Sequence, residues 1–201
     1  MLIYRDDIIK VYASRMDASS GGDKIDNLHL QRQMVNQLLS EAFPGFTPGI
    51  RHLPSGAPVL EGVPGEWGIS VTHCRQIVAV AICRTSSRIG IDVDETSRGN
   101  QLRRVAPRFL SASQLAEWTY GDESLLFAWS IKEAIYKAAG IPGLPLSEIP
   151  LPDPLVFTSN RHGKVVYDNM SYDLLVMPDM AGCGPIVLAL GNKIVSSAMK
   201  N

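Results

Sequence analysis

The seven-residue run Ile77–Cys83, IVAVAIC, is the longest apolar stretch in the chain and the feature that most narrows its fold. It is far shorter than the roughly 20 apolar residues a membrane-spanning helix needs, and its β-branched residues between turn-like flanks read as a strand. Trp67–Val71 and Arg88–Val93 have the same character, so the middle of the sequence predicts three successive strands. Residues 2–13 suggest an opening strand and Ser19–Gly22 a loop. Leu30, Met34, Val35, Leu38, Leu39 and Ala42 then recur at helical spacing up to the stop at Pro44-Gly45. The Pro- and Gly-rich stretch Pro44–Gly65 reads as irregular and exposed.

The second half opens with an arginine-rich segment, Arg98–Leu110, predicted helical. A helix over Glu123–Ala139 follows, its apolar stripe formed by Leu125, Leu126, Trp129, Ala134, Ile135 and Ala138, with Gly140 and Pro142 as its stop. Val165–Tyr167, Tyr172–Met177 and Ile186–Leu190 return to strand. The segments CRQIVAVA from Cys74 and CGPIVLAL from Cys183 echo one another, as a duplicated pair of halves would.

Composition removes several classes of function. A net charge of -1 provides no global field for nucleic acid or an anionic membrane, so electrostatic recognition has to be local. Asp6 and Asp7 interrupt the N-terminal segment before an apolar core can develop, so no signal or transit peptide is expected. The 3 cysteines form no C-x-x-C pair and the 4 histidines no zinc spacing; a reduced, cytoplasmic setting is expected.

Against this neutral background, GIDVDE (Gly90–Glu95) sets three acids at a strand end. Side chains alternate along a strand, so Asp92 and Asp94 share a face while Glu95 points away. Two carboxylates so placed repel each other unless water or a cation relieves them, and hard divalent ions such as Mg2+ prefer oxygen ligands. An acidic turn that only solubilises the strand end is the competing reading. In FAWSIKEAIYKAAG (Phe127–Gly140), Trp129, Glu133 and Lys137 fall at i, i+4 and i+8 on one helical stripe. Alone this is a surface Glu-to-Lys pair beside a core tryptophan. Together the two segments supply what a Mg2+-bound phosphate site requires: metal ligands, and a cation for the remaining oxygens.

IGIDVDE followed by WSIKEAIYK resembles the paired signature of the 4'-phosphopantetheinyl transferases, Gly-Ile-Asp-x-Glu and then Trp-Ser-x-Lys-Glu-x-x-x-Lys. ISVTHCRQIVAVAI resembles the family's Ser-His strand upstream. The resemblance covers about residues 56–150, and length and layout resemble the surfactin-type and enterobactin-type branch. It implies an α+β fold of two similar α/β halves related by a pseudo-two-fold axis, about 1–95 and 96–201, with the active site between them. It implies a monomer that moves phosphopantetheine from coenzyme A to a carrier-protein serine with Mg2+, releasing 3',5'-ADP. Asp92, Asp94 and Glu133 would hold the metal. Thr72 and His73 would lie at the coenzyme A phosphates, Lys137 would neutralise the pyrophosphate, and Lys132 would reach a phosphate or solvent. Glu133 or metal-bound water would take the serine proton.

This chain departs from the family pattern at two positions. Asp94 stands where glutamate is usual, a reach shorter by roughly 1.5 Å, which favours contact with the metal through water. Gly56-Ala57-Pro58 replaces Gly-Lys-Pro, so a coenzyme A lysine is missing; Arg32, Arg51 or Lys24 could replace its charge. Arg98, Arg103, Arg104 and Arg108 would steer an acidic carrier protein, with Leu102, Val105, Phe109 and Leu110 as an apolar face. A Mg2+-dependent hydrolase or nuclease, and an inactive module that only binds carrier protein, remain open as alternatives.

Overall fold

The computed structural model describes residues 1–16, 24–84, 88–177, 180 and 183–194, with side chains from 27 onward in the first helix. The Ser19–Gly22 loop and the Lys24 side chain lie outside the described residues. The chain is α+β. Strands β1 (Leu2–Arg5), β2 (Ile9–Arg15), β5 (Trp67–His73) and β6 (Ile77–Arg84) form one antiparallel sheet in the order β1-β2-β6-β5. Strands β7 (Arg88–Val93), β8 (His162–Tyr167), β9 (Met170–Met177) and β10 (Ile186–Lys193) form a second, in the order β7-β10-β9-β8. Thus β7, although next to β6 in sequence, pairs with β10, the last strand among the described residues, Asp92 opposite Val187.

Strand alternation sorts the core into layers. On β6, Val78, Val80 and Ile82 pack against α1 (Lys24–Ala42) through Val35, Leu38 and Leu39. Ile77, Ala79, Ala81 and Cys83 face the other way, onto Ile89, Ile91 and Val93 of β7 and Ile186 and Leu188 of β10. Val187 and Ala189 then face the long helix α4 (Asp122–Ala139). The order is helix, sheet, sheet, helix, which explains why the IVAVAIC run is 0% exposed throughout: both of its faces are interior. No helix among the described residues is long and apolar enough to cross a membrane.

Two edge strands bring the sheets together. β5 runs beside β7, and its hydroxyls take the place of carbonyls: Ser70 Oγ accepts from the Ile91 amide at 3.1 Å and Thr72 Oγ1 from the Val93 amide at 3.2 Å. On the outer side of β7, Gly90 faces α4 so closely that a Cβ there would lie 1.9 Å from the Ala134 carbonyl oxygen. Only glycine lets the helix seat against the strand.

The stretch Pro44–Gly65 is a correction to the expectation of irregular chain. It holds a hairpin, β3 (Gly49–His52) and β4 (Pro58–Glu61), turned over Gly56 at φ 86°. Ile50 and Leu60 pack onto the α1 core. The arginine-rich segment is a 3-10 turn, Thr96–Arg98, leading into α2 (Gly99–Phe109). Two short helices lie between the expected elements. α3 (Ala112–Trp118) starts in a reciprocal Ser111–Gln114 capping box, and α5 (Pro154–Asn160) starts with the Asp153 carboxylate accepting from the Val156 amide at 2.9 Å.

Candidate active site

Beyond its exposed first turn, Asp122 and Glu123, almost every α4 side chain is buried; Trp129, Glu133 and Lys137, the stripe expected from spacing, are partly open together with Tyr136. Because Gly90 draws the helix onto β7, residue 92, two positions along the same strand face, also lies within reach of α4. Lys137 Nζ donates to Asp92 Oδ1 at 2.8 Å and to the Ile91 carbonyl at 2.9 Å. Thr72 Oγ1 lies 3.4 Å from the same carboxylate oxygen. Asp92 is 6% exposed, and its Oδ2, fully enclosed, has no hydrogen-bond partner among the described residues. A buried carboxylate oxygen without a donor is costly unless something else meets it.

Asp92 is in the wall of a cleft of about 590 Å³, lined also by His73, Cys74, Arg75, Val93–Glu95, Ser97, Arg98, Gln101, Trp129 and Glu133. Burial raises the pKa of Glu133, and the charges of Asp92 and Asp94 raise it further against Lys137 and Arg98. Burial likewise raises Asp94, against the hydrogen bond from Arg98. Among the described residues no group of three His, Cys, Asp or Glu is placed to hold a metal. Asp92 and Glu133, with an enclosed free oxygen and mutual repulsion, nevertheless fit one hard divalent cation.

A second cleft of about 810 Å³ adjoins it across His73, which lines both. Its walls come from α1 (Leu28, Gln31, Arg32, Val35, Asn36), the hairpin (Ile50, His52, Ser55–Pro58), β5 (Ile69–Val71) and the end of α4 (Tyr136, Lys137, Gly140–Pro142). Lys137 opens onto this cleft while holding Asp92 in the other. The His73 ring keeps solvent access, yet partial desolvation and the nearby Lys137 charge lower its pKa, so it is neutral at pH 7.

Residues 88–164 match the model of the 4'-phosphopantetheinyl transferase superfamily. The match begins at β7, takes in α2 to α5 and ends inside β8, so it contains every carboxylate of the acid cleft. It stops short of α1, the hairpin and β5, which supply most of the second cleft. No curated protein matches the chain.

The structure brings Asp92, Asp94, Glu133, Lys137, His73 and Arg32 to these two clefts, keeps Thr72 buried behind Asp92 and lining neither, and corrects other expectations from the superfamily pattern. Lys132 is 0% exposed and faces away; its ammonium donates to the Leu146 and Ile149 carbonyls at 2.7 and 2.6 Å. It fastens the chain after α4 and reaches no phosphate. Burial without a carboxylate partner lowers its pKa to about 7. Arg51 points out of the hairpin, paired with Glu61 at 2.5 Å, and its neighbour His52 lines the cleft instead. Thr72 spends its hydroxyl on Val93 and Asp92. Glu95 does more than meet solvent: Oε1 accepts from the Arg75 amide at 2.8 Å, tying the turn after His73 to the end of β7. Of the four arginines, Arg103 is engaged by Asp122 at 2.7 Å and by the Thr119 carbonyl at 3.3 Å, and Arg98 turns into the acid cleft. Arg104 and Arg108 are exposed on α2. His52 and Ser70 carried no sequence signal by themselves. An alternating reading of residues 49–52 would have put Ile50 and His52 on one side.

Proposed function

We propose that this chain transfers 4'-phosphopantetheine from coenzyme A to a serine of an apo carrier protein, in a Mg2+-dependent reaction that releases 3',5'-ADP. The observation that carries the reading is the junction at His73 and Lys137. A large cleft with apolar walls and cationic side chains meets there a second cleft lined by Asp92, whose Oδ2 is buried without a partner. A long substrate with an apolar or amide arm, several phosphates and a reaction centre at a phosphorus suits such a pair of spaces. The superfamily match over residues 88–164 supports it independently.

Asp92 and Glu133 would hold Mg2+, which when bound offsets pyrophosphate charge. Lys137, fixed by Asp92 and the Ile91 carbonyl, keeps one donor for a phosphate oxygen. Neutral His73 donates a ring N–H to another. Arg32 and His52 sit along the larger cleft, where the nucleotide end carries its remaining phosphate; they replace the lysine absent at Ala57. The carrier serine oxygen attacks the β-phosphorus, its proton passes to the Glu133 carboxylate, and the bond to the 3',5'-ADP oxygen breaks with the electron pair leaving on that oxygen. The nucleophile belongs to the partner.

The same reading extends to architecture and partner. β6 and β10, the strands behind the two cysteine-led echoes, are both inner strands of four-stranded sheets. They are the counterparts expected in two pseudo-two-fold halves of the surfactin-type and enterobactin-type branch. Arg104 and Arg108 are the charges open to an acidic carrier helix. The test is incubation with apo carrier proteins, coenzyme A and Mg2+, read by mass spectrometry. A phosphopantetheine mass gain abolished by EDTA is expected. A folded protein that adds no mass to any of several carriers overturns the reading.

A further inference from the structure

We propose that Asp94 serves as the counter-ion that fixes Arg98 at the wall of the acid cleft, and that Asp92 and Glu133 are the only carboxylates that ligate the metal. This rests on the transferase reading and departs from a site of three acids.

Both oxygens of Asp94 are engaged inside the protein. Oδ1 accepts from the Glu95 amide at 2.8 Å and Oδ2 from Arg98 Nη1 at 2.5 Å, with the residue 4% exposed. Asp92, 6% exposed in the same wall, keeps an enclosed oxygen with no partner. Charge-assisted hydrogen bonds are the strong ones, and turning the buried Asp94 away would leave the half-buried Arg98 without its counter-ion. Asp94 therefore gives up more by turning to a cation than Asp92 does.

Its backbone is also unable to advance and recover the missing methylene. The segment before β10 presses on it: a Cβ at Gly184 would lie 2.1 Å from the Asp94 carbonyl oxygen, and the Thr96 amide donates to the Cys183 carbonyl at 2.8 Å. Arg98 is held on three sides. Besides Asp94, Nε donates to Gln101 at 3.2 Å, and its guanidinium carbon lies 5.6 Å from the Trp129 ring centre; Trp129 is itself set edge-on against Phe109. A guanidinium held this way faces the cleft as an oriented donor for an anionic oxygen, so Asp94 is a positioning residue. The absence of a three-acid group in metal geometry among the described residues agrees.

The test is titration of the full chain with Mn2+ in place of Mg2+, followed by electron paramagnetic resonance and water-proton relaxation, without coenzyme A or carrier. Asp92→Asn and Glu133→Gln should each weaken Mn2+ binding about tenfold or more. The double variant Asp94→Asn/Arg98→Gln, which keeps the net charge and leaves no stranded ion, should bind within about threefold of wild type with the same number of waters on the bound ion. A tenfold loss or an added water in the double variant overturns the proposal while leaving transfer activity intact as evidence for the transferase. Absence of Mn2+ binding by wild type overturns the metal site of both readings.

Discussion

The acid cleft draws its carboxylates from two short segments, residues 92–98 and 129–133, whereas the larger cleft beside it collects its lining from α1, a hairpin, β5 and the end of α4. In the first, strand and helix periodicity place each charge, and one contact, Gly90 against Ala134, sets how closely the two periodic elements approach. In the second, no single element decides anything; its shape depends on how α1 and the hairpin settle on the sheet. Proton and metal chemistry tolerate little displacement, while a cleft that grips a long flexible ligand tolerates more. Substitutions in the acid cleft should therefore act on turnover, and those in the larger cleft on affinity.

The largest effect should come from Glu133→Gln, which removes a proposed metal ligand and proton acceptor together while keeping shape. A fall in kcat of about 10³-fold or more is expected, with an unchanged unfolding transition. A kcat within tenfold of wild type would take Glu133 out of the chemistry and break the contrast at its strongest point. Next is the contact that sets the geometry. Gly90→Ala puts a methyl into the Ala134 carbonyl and should destabilise the protein by about 3 kcal/mol, as overpacking does. Denaturant midpoints would measure this, and a neutral Gly90→Ala would mean the seat of α4 on β7 is not rigid.

The same contrast explains what could be read from the chain. The strands Ile77–Arg84 and Arg88–Val93 and the helix Asp122–Ala139 were legible because each is long, periodic and punctuated. The site stripe Trp129, Glu133, Lys137 followed from spacing. The hairpin Gly49–Glu61 hid among Pro and Gly, although Ile50 and Leu60 flank a PSGAP turn. α3 and α5, each 7 residues, are too short for a period to emerge, and only their caps announce them. The place of Lys132 is hidden for a different reason. Its side of α4 is covered by Leu146 and Ile149, residues 14 and 17 positions away, and no local pattern reports that cover. Arg98 reads as partner surface because the arginine-rich composition of its segment suggests exposure and not a pairing to Asp94.

Lys132 offers a test of that hidden cover, against Lys137 on the same helix. Lys137 lies against a carboxylate; Lys132 meets only carbonyls, and its pKa falls to about 7. An unfolded lysine keeps its proton to about 10.4. Between these values the unfolded chain binds the extra proton, so stability should rise with pH, by up to about 1.4 kcal/mol per unit from this group. Lys132→Met removes that contribution. In EDTA, unfolding free energies between pH 7 and 9 should climb more steeply for wild type than for Lys132→Met. Parallel slopes would mean the ammonium stays charged on its two carbonyls.

The smallest effect separates an arginine of the larger cleft from one on the outer side of its hairpin. Arg32 lines it from α1, while Arg51 leans outward onto Glu61, both members of that pair being about half exposed. A surface pair of this kind contributes about 0 to 1 kcal/mol, and its loss leaves the cleft wall, built by Ile50 and His52, in place. Arg32→Ala should raise the KM for coenzyme A about tenfold, the loss of one charge-assisted contact of about 1.4 kcal/mol, with kcat and the KM for carrier protein unchanged. Arg51→Ala should change each constant by less than about twofold. If the two variants behave alike, the hairpin contributes charge by its general field and not by which side of β3 a residue occupies. Alternation along that strand would then be irrelevant to binding. If Arg32→Ala lowers kcat as well, the larger cleft also aligns the reacting phosphorus, and the division between the two clefts fails.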